Sequence, residues 1–188
     1  MRVAVNLSAI QLRSSELLQT VTGALERNSL PARRLELEIT ESVFMPNDPT
    51  TLETLHALRG LGVRIAMDDF GTGYSSLRYP RSFPFDRIKL DRSFVQDLAD
   101  ATGGVVIVRV VAGLGRSLGI PTLAEGVETA DQLECLRAEG YHEAQGFHFG
   151  RPAGPEATRR LLARHSRQVA LNPSGSLASA REDARLAT

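Results

Sequence analysis

Short β-prone apolar runs recur along the chain, each ending in polar residues and followed by a stretch with helical spacing. Val3-Ala4-Val5-Asn6 predicts the first strand, followed by a helix from about Ser15 to Arg27 with Ser14 as its candidate N-cap. Leu35 to Thr40 predicts the second. After it, Pro49 and the Leu52, Leu55, Leu58 spacing predict a helix that stops near Gly60 and Gly62. Val63 to Met67 is the third strand, and Arg87-Ile88-Lys89-Leu90 the fourth, with a long helical region after it to about Leu118. Ile120 to Ala124 is the fifth, before a helix from Thr129 to Glu139. A weaker sixth falls near Glu143 to Phe147, ahead of a helix from about Pro155 to Arg164. Beyond Gln168 the chain turns to Ala, Ser, Arg and Gly without periodicity. The expected organisation is one domain over residues 1–166 and a loose tail over 167–188.

Strands alternating with helices at this pace imply parallel βα units. Two architectures remain: a doubly wound open sheet, or a (βα)8 TIM-type barrel with units missing. A doubly wound sheet gathers its ligand groups near one switch point. A barrel brings them from the carboxyl ends of several strands. Here Asn6 ends the first strand and Glu38 lies near the end of the second. Asp68 and Asp69 end the third, Lys89 sits late in the fourth, Glu125 ends the fifth, and Gln145 belongs to the sixth. Six strands each offering a polar group fit the barrel better.

A single acid at a strand end is usually a helix cap or a solvated loop residue, Asp68 or Asp69 could simply begin the turn at Gly71 and Gly73, and Lys89 could be a structural ion-pair partner. The joint placement is what carries chemistry. Several carboxylates in one mouth raise one another's pKa unless a cation neutralises them. A ligand set of Asn, Glu and Asp, with neither thiolate nor imidazole, favours Mg²⁺ or Mn²⁺ over zinc. Adjacent Asp68 and Asp69 could let one carboxylate bridge two ions while the other binds the second. Such a pair activates water and clamps an in-line displacement at a phosphodiester. Lys89 could orient or deprotonate that water, or offset charge on the phosphate. Pattern alone therefore points to a metal-assisted phosphoryl-transfer or enolate-type barrel enzyme.

Charge sharpens this. Lys plus Arg and Asp plus Glu both total 22, so net charge gives no case for a nucleic-acid polymer or a membrane surface, and an anionic substrate needs a local site. No apolar run is long enough to span a bilayer, and residues 1–10 lack the pattern of a secretory signal. The single Cys135 makes no internal disulfide; a cytoplasmic location is expected. Asp69-Phe70-Gly71 spells a kinase metal triplet without the accompanying kinase motifs. Gly113, Gly115 and Gly119 lie at a helix end with the wrong spacing for a dinucleotide fingerprint. His56, His142, His148 and His165 have no mutual metal spacing.

Six segments stand in order along the chain: Asn6-Leu7-Ser8, Leu37-Glu38-Ile39-Thr40-Glu41-Ser42, the run from Asp68-Asp69-Phe70-Gly71 to Leu77, Lys89-Leu90-Asp91, Glu125-Gly126-Val127-Glu128-Thr129 and Gln145-Gly146-Phe147. On these the sequence resembles, from Val3 to about Pro152 and more weakly to Arg164, the EAL family of bacterial cyclic di-GMP phosphodiesterases. The resemblance implies a hydrolase that opens cyclic di-GMP to linear pGpG with two Mg²⁺ or Mn²⁺ ions. It implies that Asn6, Glu38 and Asp68 bind the first ion, and Asp68 with Asp69 the second. Lys89 looks like the family's water-contacting lysine, and Glu125 and Gln145 like its further polar pair. Glu41 matches the glutamate that steadies the loop after the Asp pair, and Glu128 a supporting acid near the metals. A homodimer formed through the mouth loops, and a sensory or diguanylate-cyclase domain upstream, are implied by analogy.

Two departures qualify the match. The family's Glu-Ala-Leu strand, which carries a further metal-ligating glutamate with a substrate-contacting arginine nearby, precedes the Asn-Leu-Ser segment, and this sequence contains no such strand. The expectation is a barrel lacking roughly its first two βα units, with the 188 residues alone inactive. Pro80 stands where the family usually carries an aliphatic residue. The competing function is a non-catalytic cyclic di-GMP receptor or protein-interaction module. A different metal-dependent barrel enzyme is a third reading, opposed by the segment from Asp68 to Leu77.

Overall fold

The computed structural model describes residues 2–44, 49–72, 83–99 and 104–161. Pro80, most of the loop after the Asp pair, and the boundary expected at 166/167 with its tail lie outside the described residues. Six strands form: β1 (Val3–Asn6), β2 (Leu35–Thr40), β3 (Arg64–Phe70), β4 (Arg87–Leu90), β5 (Thr122–Ala124) and β6 (Glu143–Ala144). Each pairs in parallel with the next, in the order β1-β2-β3-β4-β5-β6. A doubly wound sheet would reverse its order at a switch point. This one never reverses, so the architecture is an arc of a βα barrel. Among the described residues β1 and β6 are the two open edges.

Alternation along the strands sets the two faces. Leu37 and Ile39 of β2, Ile65 and Met67 of β3, and Ile88 and Leu90 of β4 are buried in one core with Leu55, Leu58, Val95, Val108, Val111 and Leu136 from the helices. Truncating one of the Leu, Ile or Met side chains among them to Ala would cost about 2–5 kcal/mol. The opposite face is polar: Glu36 and Glu38, Arg64 and Asp68, Arg87 and Lys89 alternate with those core residues on β2, β3 and β4.

The helices are α1 (Ala9–Leu12), α2 (Leu17–Arg27), α3 (Pro49–Gly60), α4 (Arg92–Gln96), α5 (Gly104–Leu118) and α6 (Ala130–Ala138). Several ends differ from expectation. Ser14 does not cap α2; its hydroxyl accepts from Glu16 N at 3.3 Å, and the helix begins two residues beyond Ser15. The unexpected α1 has a capping box: Ser8 Oγ accepts from Gln11 N, and Gln11 Oε1 accepts from Ser8 N. Thr129 and Gln132 repeat this at α6. The helical region after β4 divides into α4, a 3₁₀ turn at Asp97–Ala99, and α5. Gly62, at φ +88°, provides the left-handed residue that ends the turn after α3.

These elements lie in a compact unit over Met1–Gly150; a second unit begins at Arg151, where residues 155–161 are helical. Among the described residues no helix is long and apolar enough to cross a membrane.

Candidate metal centre

Lys89 stands among three carboxylates brought by three other strands or strand ends. It is 3% exposed. Its Nζ lies 2.7 Å from Glu125 Oε1, 2.8 Å from Glu38 Oε1 and 2.9 Å from Asp68 Oδ1. Burial alone would lower the lysine's pKa, but its contacts with Glu125, Glu38 and Asp68 outweigh that and raise it, so the ammonium stays charged.

A regular pleat would send Asp68 and Asp69 to opposite faces. The register of β3 against β4 shifts between Met67 and Phe70, and Asp69 has φ +51°, a left-handed conformation that Asp tolerates better than most residues. A bulge of this kind re-aims side chains. Oxygens of Asp68, Asp69 and Glu125 come within 4.8 Å of one another. The strand thus continues through the Asp pair to Phe70 instead of ending at Met67. The left-handed residue costs about 1–3 kcal/mol and persists where its surroundings fix it. Here Thr72 N and Oγ1 both donate to Asp69 O, and Gly71 N donates to Glu41 Oε1 at 3.4 Å.

The crowding of charge is visible in the acids. Burial pushes the Asp69 pKa up, the Asp68 and Asp91 carboxylates push it further, and Lys89 offsets only part. Burial also raises Glu125 despite its contact with Lys89. Gln145 Nε2 donates to Glu125 Oε1 at 2.8 Å and holds that carboxylate in place. Gln145 is itself fixed by backbone: Val127 N donates to Gln145 O, and a Cβ on Gly146 would lie 2.2 Å from Val127 O.

The structure therefore brings together Glu38, Asp68, Asp69, Lys89, Glu125 and Gln145. Asn6 is the register partner of Glu38, on the open edge strand. Glu41 reaches the loop. Glu128 lies exposed just before α6, its backbone N donating to Gln132 Oε1. Sequence reasoning placed Glu125 at the end of the fifth strand and, by resemblance, in a polar pair with Gln145, not among the metal ligands; the geometry adds it to the acids facing one another. Its place just past β5, a strand end like that of the Asp pair, was the available signal. The acids of this set suit a hard divalent cation, because the ligand atoms they offer are all oxygen.

Comparison with known proteins follows the same lines. The model of the EAL domain family matches residues 1–152. The uncharacterized protein y4lL of Sinorhizobium fredii is 54% identical over 164 residues, 87% of this chain and 20% of that protein. The bifunctional diguanylate cyclase/cyclic di-GMP phosphodiesterase MucR of Pseudomonas aeruginosa is 44% identical over 161 residues, 86% of this chain and 23% of its own length. The solved MucR phosphodiesterase, in complex with cyclic di-GMP, superposes with a TM-score of 0.80 at 43% identity, covering 84% of this chain and 64% of that one. A manganese and cyclic di-GMP complex of BlrP1 from Klebsiella pneumoniae superposes with a TM-score of 0.71 at 31% identity, covering 78% of this chain and 37% of that one. The chain thus spans about a fifth of the length of these curated relatives.

Proposed function

This chain belongs to the EAL domain family, and from that premise we propose that its carboxylate cluster supports divalent-metal-dependent hydrolysis of cyclic di-GMP to linear pGpG. The observation that carries the proposal is the meeting of Asp68, Asp69 and Glu125 within 4.8 Å beside a buried lysine. Similarity to the MucR phosphodiesterase and to the BlrP1 manganese complex supports the same reading.

In this reading Asn6, Glu38, Asp68, Asp69 and Glu125 are the residues that would hold two Mg²⁺ or Mn²⁺ ions. The ions supply a low-pKa water and charge neutralisation at the phosphodiester. Asp68 and Asp69 reach the same side because of the bulge. Gln145 orients Glu125 by donating to its Oε1. Glu41 accepts from Gly71 N and so supports the loop that follows the Asp pair. Lys89 Nζ is paired with Glu38, Asp68 and Glu125; with ions held by those acids, its positive charge would orient the attacking water and offset charge on the phosphate. Glu128 is a supporting acid. The equal numbers of acidic and basic residues leave capture of the anionic substrate to this local site. We place the activity in the cytoplasm and propose a homodimer and an attached sensory or diguanylate-cyclase domain as its setting.

A second reading is a cyclic di-GMP receptor that binds the nucleotide at the same site without turnover. Incubation of the purified protein with cyclic di-GMP, with Mn²⁺ or Mg²⁺ and with chelator, decides between them. Metal-dependent pGpG supports the enzyme. Binding without pGpG supports the receptor. Neither binding nor turnover overturns both.

A further inference from the structure

We propose that Glu36 captures the Arg87 guanidinium and thereby keeps it off Glu38, so that Glu36 is a positioning residue for the metal centre. The inference rests on the reading of Glu38 as a metal-binding acid.

The register creates the hazard. Glu38 is the partner of Ala66, and Ala66 is the partner of Arg87. Glu38 and Arg87 therefore occupy one row of the polar face, two strands apart, with only a methyl group between them. A guanidinium is permanently charged and its fork matches a carboxylate. Left to itself, Arg87 would be a strong partner for Glu38.

The structure directs it elsewhere. Arg87 Nη1 lies 2.6 Å from Glu36 Oε1, one step below Glu38 on the same face of β2, and Nη2 lies 2.8 Å from Glu143 Oε1. Glu36 is 1% exposed and Arg87 7%. Arg87 Nε is buried without a hydrogen-bond partner, so these two carboxylates are what hold the group. Glu38 is thereby left to Lys89, at 2.8 Å.

The two ends of this pair are unequal. Glu36 also lies 3.3 Å from Arg2 Nη1 and 3.4 Å from Arg64 Nε. Removing Arg87 leaves Glu36 with two arginines, and leaves Glu143 with Arg2 at 3.9 Å. Removing Glu36 instead leaves Arg87 with Glu143 alone, an acid that Arg2 also approaches at 3.9 Å. Glu143 is 40% exposed and a weaker hold on a buried guanidinium than the buried Glu36, and the acid in Arg87's own row is Glu38. An ion pair there would occupy a carboxylate that the metal centre needs.

The test uses Glu36→Gln, Arg87→Met and the double variant, with two readouts: Mn²⁺ affinity by electron paramagnetic resonance titration, and the metal-free crystal structure of Glu36→Gln. Glu36→Gln should weaken Mn²⁺ binding by about tenfold or more, the scale of outer-shell changes at metal sites. Arg87→Met should bind near the wild-type affinity, and adding it to Glu36→Gln should restore binding. In the crystal, Arg87 should lie against Glu38. If Arg87→Met weakens Mn²⁺ as much as Glu36→Gln does, the layer is only scaffold and the proposal fails. It fails equally if the double variant is not rescued, or if Arg87 in Glu36→Gln remains on Glu143 and clear of Glu38. Should the wild type bind no Mn²⁺, the metal-site reading falls, and the crystal position of Arg87 alone decides this inference. If Glu36→Gln does not fold, Glu36→Asp takes its place, with a smaller effect in the same direction.

Discussion

Replacing Lys89 with Met removes the ammonium and keeps most of the side chain's length, which isolates the charge from the packing. In the structure that ammonium lies within 2.9 Å of an oxygen of Glu125, Glu38 and Asp68, and those three side chains are 10–18% exposed. Removing one partner of a buried ion pair costs about 3–5 kcal/mol. For a chain of this length, 1 kcal/mol corresponds to roughly 2–4 °C in melting temperature, so the drop should be roughly 6–20 °C. The loss should be greatest in chelator at pH 8, where the acids are ionised. It should shrink on acidification, because protons then relieve the repulsion, and shrink with Mn²⁺, because a cation replaces the missing charge. Thermal melts of both proteins with chelator or Mn²⁺, at pH 8 and pH 5.5, measure all of this. If Lys89→Met melts with the wild type in chelator at pH 8, the three-carboxylate cage does not carry the energy assigned to it. If Mn²⁺ raises both melting temperatures equally, the cluster is not where the cation binds.

Asp68→Asn should lower the measured metal stoichiometry, whereas Glu41→Gln, acting through Gly71 and the loop, should keep it and lower turnover; unchanged metal content in Asp68→Asn would remove Asp68 from the proposed bridge. Asp69 and Glu125 hold their protons above their ordinary values of 3.8 and 4.5, and a cation must displace those protons. Mn²⁺ affinity should therefore fall as pH drops through their raised values. Over the same window these two acids should contribute stability to the metal-free fold, because a raised carboxyl pKa means that the folded state binds the proton more tightly than the unfolded one; Asp69→Asn with Glu125→Gln should remove that contribution. Isothermal titrations and melts across mildly acid pH check both signs, and a flat Mn²⁺ affinity would count against these two acids as ligands.

Much of the fold was legible in the sequence because its signals are local. The alternation in Leu35–Thr40 and Arg87–Leu90 marks strands wherever the chain goes, and Thr129 with Gln132 caps its helix through contacts four residues apart or fewer. Local signals also misplaced Ser14, since a serine before a helical pattern can bond a neighbouring amide without starting the helix, and the α1 capping box at Ser8 was passed over. The polar strand ends identified Asn6, Glu38, Asp68, Asp69, Lys89, Glu125 and Gln145 as candidates, because alternation fixes which residue of a strand faces the mouth. What alternation cannot fix is the stagger between strands. Only the parallel, sequential pairing of six strands decided for a barrel arc over a doubly wound sheet. Only the stagger placed Lys89 among Glu38, Asp68 and Glu125, and Arg87 in the row of Glu38 yet turned towards Glu36. The bulge at Asp68–Asp69 likewise exists only against β4, where two residues face the space of one. These are distances between groups tens of residues apart in the chain, and they are set by hydrogen-bond register across the sheet, which no run of residues along a single strand encodes.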